Sequence, residues 1–381
     1  MMDQDYLSDN VRLFRTALAG LRPGHRNRPI VRANLASALQ ALFQIVGEIH
    51  LLDEAEEVAR EVLADSAHGT KARLDAAAGL STVLASRLAN TLDPEILRER
   101  VELCREIASA TGTARDLGNL ALALSQFASA TSDASSATEA VTTARQAVDA
   151  AARMPFALPG TYSILSDVLA ISARLSGASD QGEAIQEGMK ALAHGLTEPK
   201  AAALRLRLAE LLLFSKRHDA SESSSNERFL ADAHQLAQAA FDASDAPADL
   251  RIEAARLLVR ISLATPGPHK AHDPLDAATS AVEDLLPQLA HRSLAQRDRD
   301  RVLARHTGLG AEAALAAIHT GRPDRAVRLL EASRGFRLAE LLETRGPLER
   351  LRERSPDLAA EFLELRRRYS ALEAAAASLS R

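Results

Sequence analysis

The stretch GRPDRAVRLLEASRG at residues 321–335 reads as the end of one helix followed by the body of another. Gly321 ends the first, because glycine enters the left-handed conformation that closes a helix without a Cβ penalty. Five residues on, Ala326 is small enough to sit where two helices cross, and Leu330 supplies the next contact. One such helix pair cannot hide its apolar side alone, so copies of it are expected elsewhere in the chain. Leu-small pairs mark the first helix of earlier units at Leu35-Ala36, Leu80-Ser81, Leu120-Ala121, Leu165-Ser166 and Leu208-Ala209, at intervals of 45, 40, 45 and 43 residues.

The second helices follow as LDEAEEVAREVL from Leu52, DPEILRERVELCREI from Asp93 and SSATEAVTTARQAV from Ser135. GEAIQEGMKAL from Gly182, FLADAHQLAQAAF from Phe229 and PLDAATSAVEDLL from Pro274 continue the series. Each spaces its apolar and alanine positions by three and four, the stripe of an amphipathic helix. Asp93-Pro94, Asp273-Pro274 and Ser355-Pro356 each place a capping side chain before a proline at the first helical position.

Composition agrees. Aromatic residues make up 3% of the 381, with no Trp, while 46% of residues are hydrophobic. Alanine and leucine head the helix-propensity scale, and small faces let helices approach closely. Strand-like alternation of β-branched residues is nearly absent. The class is all-α: a solenoid of about seven helical hairpins. Its expected divisions are an N-terminal helix and linker at 1–28, the repeat array at 29–345, and a long helix at 346–381. Within the array, KRHDASESSSN at 216–226 is expected to be a disordered insertion and TPGPHKAHD at 265–273 a proline-rich loop.

Net charge of -5 disfavours nucleic acid as a partner, since phosphate binding needs a basic footprint. A single cysteine excludes an internal disulfide. The acidic start MMDQDYLSDN lacks a signal-peptide profile, and no apolar run is expected to approach the roughly 18 residues that span a bilayer. These features point to a cytoplasmic chain with no membrane contact.

The Gly321, Ala326 and Leu330 spacing resembles the second-helix signature of tetratricopeptide repeats, although a period above the usual ~34 implies longer helices. A wider likeness covers 285–369, carried by Gly308-Leu309, Gly321-Arg322-Pro323, Leu330-Glu331, Arg334-Gly335, Leu351-Arg352-Glu353-Arg354 and Pro356-Asp357-Leu358-Ala359. This stretch resembles the segment that joins tetratricopeptide repeats to a caspase-like peptidase, the CHAT domain, in actinobacterial proteins. The resemblance implies a sensing or regulatory repeat region acting with such a peptidase in cis or in trans. It transfers no catalytic residue, because the peptidase's His-Cys pair has no counterpart among these residues.

Local chemistry offers no catalytic, metal or cofactor site. Cys104 falls on the apolar face of its helix with Val101 and Ala108, the place of a small buried hydrophobe. His269 and His272 form an H-x-x-H, but Pro266, Pro268 and Pro274 oppose the helix that would align them on zinc. GLGAEA from Gly308 mimics a dinucleotide fingerprint without the preceding strand, so small residues for close helix packing explain it better. Arg350, Arg352, Arg354 and Arg366 to Arg368 read as a solvated face or a patch for an acidic partner.

Partner recognition is expected on the first helices instead. If the Leu of each pair marks one register, Ser37, Gln40, Thr82, Ser125 and Asp167 face a common groove with a small, weakly polar lining. That lining suits a protein or peptide partner, helical or extended, held by shape and apolar contact. Leu358, Phe362, Leu365, Tyr369 and Leu372 alternate four and three apart, a seam for another helix. It fits either a cap folded back on the last pair or a stalk to another domain. As a free-standing adaptor, the chain would use the same seam to form a homodimer.

Overall fold

The computed structural model describes residues 4–22, 24–67, 69–88, 93–176, 180–218, 223–264, 274–289 and 304–334, together with 355–358, 360–361 and 364–365. All regular structure among them is helical. α1 (Gln4–Gly20) leads, and hairpins follow. The first three pair α2 (Arg28–Val46) with α3 (Ile49–Asp65), α4 (Lys71–Leu88) with α5 (Pro94–Thr111), and α6 (Ala114–Thr131) with α7 (Ala134–Ala151). Next come α8 (Leu158–Ser176) with α9 (Asp180–Ala193) and α10 (Lys200–His218) with α11 (Ser223–Asp242). α12 (Ala248–Ala264) pairs with α13, which opens as Pro274–Ser280, widens through a π turn at Ala281–Leu285 and closes at Leu286–Leu289. α14 (Leu309–His319) pairs with α15, at 323–334. The chain is an all-α helical-hairpin solenoid, the fold class expected from its repeats.

Sequence dictates the two helix types. First helices carry apolar residues around much of their circumference, because they are covered on several sides: α4 buries Ala76, Ala77, Leu80, Val83, Leu84 and Leu88. Second helices bury a narrow stripe. α7 buries Ala137, Ala140, Ala144, Ala147 and Ala151, at three- and four-residue steps, and so lies close against α6. Every Leu-small pair is buried, as its position at the hairpin crossing requires. Ends are marked as expected: the Asp93 carboxylate accepts from the Glu95 backbone N–H at 2.9 Å, and Gly321 takes a φ of +74°.

Core clusters hand over along the array. α1 places Leu7 and Val11 on Leu35 and Leu39, so it behaves as a leading second-type helix. A cluster around Leu80 joins α2 to α5, a third runs from Val101 to Leu211, and a fourth from Ala209 to Leu329. Each hairpin therefore hides its apolar side on its neighbours, the arrangement of a one-dimensional fold.

Second-type helices are also tied across their outer face by charge. Arg15 of α1 pairs with Glu54 of α3, and Arg60 of α3 donates to Glu99 of α5 at 2.9 Å. Arg105 of α5 donates to Glu139 of α7 at 2.8 Å, and Arg145 of α7 to Glu183 of α9 at 2.9 Å. One rail thus runs from α1 to α9. Its signal is a Glu followed six residues later by an Arg, at Glu54 and Arg60, Glu99 and Arg105, Glu139 and Arg145.

Three expectations change. The serine-rich insertion is shorter than 216–226, since α10 extends to His218 and α11 starts at Ser223; only 219–222 lie outside the described residues. Serine is tolerated in the first turn of a helix, where the backbone N–H groups have no intrahelical partner. Second, Pro155–Leu175 is long and apolar enough to cross a membrane by length and composition, with a hydropathy of 1.3, and half of that stretch is buried inside the array. Its apolar character follows from α8 being covered by α6, α7 and α9. The third concerns the groove and is described below. The loop at 265–273, with His269 and His272, lies outside the described residues, as do Arg350, Arg352, Arg354 and Arg366 to Arg368.

Candidate partner-binding cleft

First helices line up with one another along the array. α2 packs on α4, α6 on α8, α10 on α12, and α12 on α14. Two residues past the Leu of each pair stand Ser37, Thr82 and Glu210, which are exposed, and Leu122 and Asp167, which are half-buried. These positions all lie away from the fully buried core face of their helices. Five residues past the Leu the register works less well. That step turns about 140° around the helix, to the flank of the buried face rather than its opposite side. Gln40 is half-buried there, but Ser125 is 1% exposed, and its hydroxyl donates to the Leu122 carbonyl at 3.0 Å. Ser125 does not reach a groove.

The row changes character along the chain. Asp167 of α8 meets Arg207 of α10 at 2.6 Å, and Glu210 of α10 faces Arg260 of α12 at 3.7 Å. Arg256 of α12 grips Glu312 of α14 with two donors, at 2.6 and 2.8 Å, and Glu253 with a third at 3.0 Å. His306, buried just ahead of α14, lies 3.4 Å from that same Glu253. The expected small, weakly polar lining thus holds for the early hairpins only. In the later ones, long charged side chains lock neighbouring first helices together.

Space follows from those bridges. Between α8 and α10, the residue two past one Leu, Asp167, meets the residue one before the next, Arg207. The same offset between α6 and α8 brings up Ile164, whose Cδ1 is 2.8 Å from where a Cβ on Gly118 would stand. Between α2 and α4 the equivalent residues are Ser37 and Gly79, and a Cβ on Gly79 would meet nothing within 4 Å. With no side chain long enough to bridge, a cleft of about 490 Å³ stays open. It brings together the predicted Ser37, Gln40 and Thr82, over Ala33 and Ala78, and adds Asp75, which the sequence reading missed. Ile30 stands at its lip, 56% exposed.

Asp167 shows the cost of a bridge. Burial pushes its carboxyl up to about 6, against the pull of Arg207 and then Arg174. A folded value above the ordinary 3.8 means that the native state holds this proton more tightly than the unfolded chain. Its contribution to stability is therefore full below about pH 4 and is lost as pH rises through about 6. Asp167→Asn keeps the shape without that loss. The variant should gain about 2 kcal/mol on the wild type between about pH 4 and about pH 7.5, read from urea unfolding at both. A difference that stays flat with pH would exclude it.

Other predicted residues are placed without forming a site. Cys104 is buried, its Sγ 3.1 Å from the Ser81 hydroxyl, and burial pushes the thiol up, away from thiolate chemistry. Gly308 heads α14, and Gly310 packs so closely on Ser333 of α15 that a Cβ would overlap it, the close packing that GLGAEA led one to expect. Leu358 and Leu365 of the C-terminal seam are helical and exposed, whereas Phe362, Tyr369 and Leu372 lie outside the described residues.

No family model matches the chain, and no curated protein does. Among solved structures, it is similar to TPR-like repeats of a kinesin light chain from Podosopora anserina, at 18% identity over 50% of this chain and 87% of that one, with a TM-score of 0.35. It is also similar to the human IFIT1 dimer with PPP-AAAA, at 12% identity over 88% and 78% of the two chains and a TM-score of 0.45. A circular tandem repeat protein covers 95% of this chain and 88% of its own at 18% identity, with a TM-score of 0.29.

Proposed function

We propose that the chain is a non-catalytic protein-interaction scaffold that holds a polypeptide in the cleft between α2 and α4, as the sensing or regulatory repeat region of a caspase-like peptidase system. The observation that supports the cleft is the Ser37–Gly79 gap, which stays open where later hairpins are bridged. The link to a peptidase rests on the resemblance of residues 285–369 and on nothing in the cleft. A neutral, small-sided cleft with an exposed isoleucine at its edge offers shape and apolar contact to a partner segment, with few charges to desolvate.

Closing the gap tests this. The double variant Ser37→Asp, Gly79→Arg sets a like pair at the first step, where position 37 is exposed and the new carboxylate escapes the burial that penalises Asp167, and it removes a helical glycine, so the fold should be kept or slightly strengthened. Peptides selected from a random display library on the native chain should bind the filled variant at least about tenfold more weakly, with its unfolding midpoint unchanged or raised. Equal binding to both proteins would show that the cleft is not the recognition surface.

A further inference from the structure

We infer that the α2–α4 cleft recognises an arginine side chain of the bound polypeptide. This rests on the cleft being the binding surface and names what that surface selects. The chemistry lies in where the protons go. Ser37 donates its hydroxyl proton to the Ala33 carbonyl at 3.0 Å, and Thr82 donates to the Ala78 carbonyl at 2.9 Å. Both hydroxyls have spent their donor within their own helix, so what they present to the cleft is lone pairs. The Asp75 carboxylate has no partner among the described residues and adds acceptor oxygens. Gln40 and Asn34 line the same wall with amides, each able to turn its carbonyl to a donor.

An acceptor-rich pocket over an alanine floor fits a side chain with a long apolar stem and many donors at its tip. Arginine has five N–H donors in a planar fork and an aliphatic stem that lies well on apolar surface, whereas lysine is a compact point charge. The chain already shows the pairing. Arg207 is held by the Asp167 carboxylate at 2.6 Å and has the Ser163 hydroxyl at 3.5 Å. The cleft offers the same two partner types, a carboxylate and a hydroxyl, at the step where the chain supplies no arginine of its own. Lys71, one turn before Asp75 at the start of α4, is the one cation in the lining, and its flexible ammonium has no carboxylate partner among the described residues.

The test uses the full chain and a random-peptide display library. Selected peptides should share one arginine. Replacing it in a synthetic copy with lysine or with citrulline should weaken binding about tenfold. Asp75→Asn, an exposed change outside the core, should weaken the arginine peptide about tenfold and leave its alanine-substituted copy unaffected. Peptides that share no arginine yet lose binding on the Ser37→Asp, Gly79→Arg protein would overturn arginine recognition and leave the cleft standing. Peptides that bind the filled protein equally, or a library with no enrichment, would overturn both.

Discussion

Replacing Leu208 with alanine is expected to lower the unfolding free energy by about 3 kcal/mol, within the range for deleting a fully enclosed leucine. Leu208 is 0% exposed and sits in the cluster that spans α5 to α10. The hole it leaves faces Gly188 of α9, where an added Cβ would stand 2.6 Å from one Leu208 methyl and 2.8 Å from the Ser166 hydroxyl. Gly188→Ala alone therefore overpacks. The cost of about 1–3 kcal/mol is partly offset by the roughly 1 kcal/mol that alanine gains over glycine inside a helix. Combined, the two changes should cost clearly less than their sum, because the new methyl enters the space that Leu208 vacates. Ser166 keeps that recovery incomplete, as its hydroxyl is fixed on the Ala184 carbonyl at 2.7 Å. Urea unfolding of the four proteins gives the coupling. Additivity within a few tenths of a kcal/mol would refute the close approach of α9 and α10.

The second large effect lies at the other end of the array. Arg256→Ala should cost about 2 kcal/mol, felt mainly by the last described hairpin. Arg256 holds Glu312 with two donors and Glu253 with a third, so its removal leaves two carboxylates, one beside the buried His306, without their cation. Arg256 is only one-fifth exposed, so solvent compensates poorly. Amide exchange in α14 should quicken while α2 and α3 stay as protected as before, because repeats contact only their neighbours. Arg256→Lys should recover part of the loss, since it restores charge without the forked geometry. An even loss across the whole chain would contradict that local coupling.

The fold was legible because its determinants are local and periodic. Leu80-Ser81 or Leu165-Ser166 need only one buried direction to be recognised, and a helix repeats that direction every turn. The candidate cleft was half legible for the same reason. Ser37 and Thr82 lie two residues from the reference leucine, opposite the core, whereas Ser125 lies five away and drifts to the flank. What the register could not show was the space between helices. That depends on pairs such as Asp167 and Arg207, about one repeat apart in sequence, and a cleft exists where the pair is Ser37 and Gly79. Asp75 escaped notice because it lies five residues before Leu80, a position at which the register was not read. The outer rail did leave a signal, Glu and Arg six apart in three successive second helices, but only to a search for charges rather than for apolar spacing.

That rail makes the early hairpins interchangeable parts. Each second helix from α3 to α7 offers a glutamate to the helix before it and an arginine to the helix after it, so every such unit carries both a plug and a socket of the same kind. Copying or excising one whole hairpin in this region restores matching ends at the new junction, and the chain can change length there without a new connector. Beyond α9 the described couplings differ from step to step: Glu210 with Arg260 and Arg256 with Glu312 join first helices, while Glu283 with Arg325, at 3.9 Å, joins second ones. Growth and shrinkage by matched ends are thus a property of the front of the array.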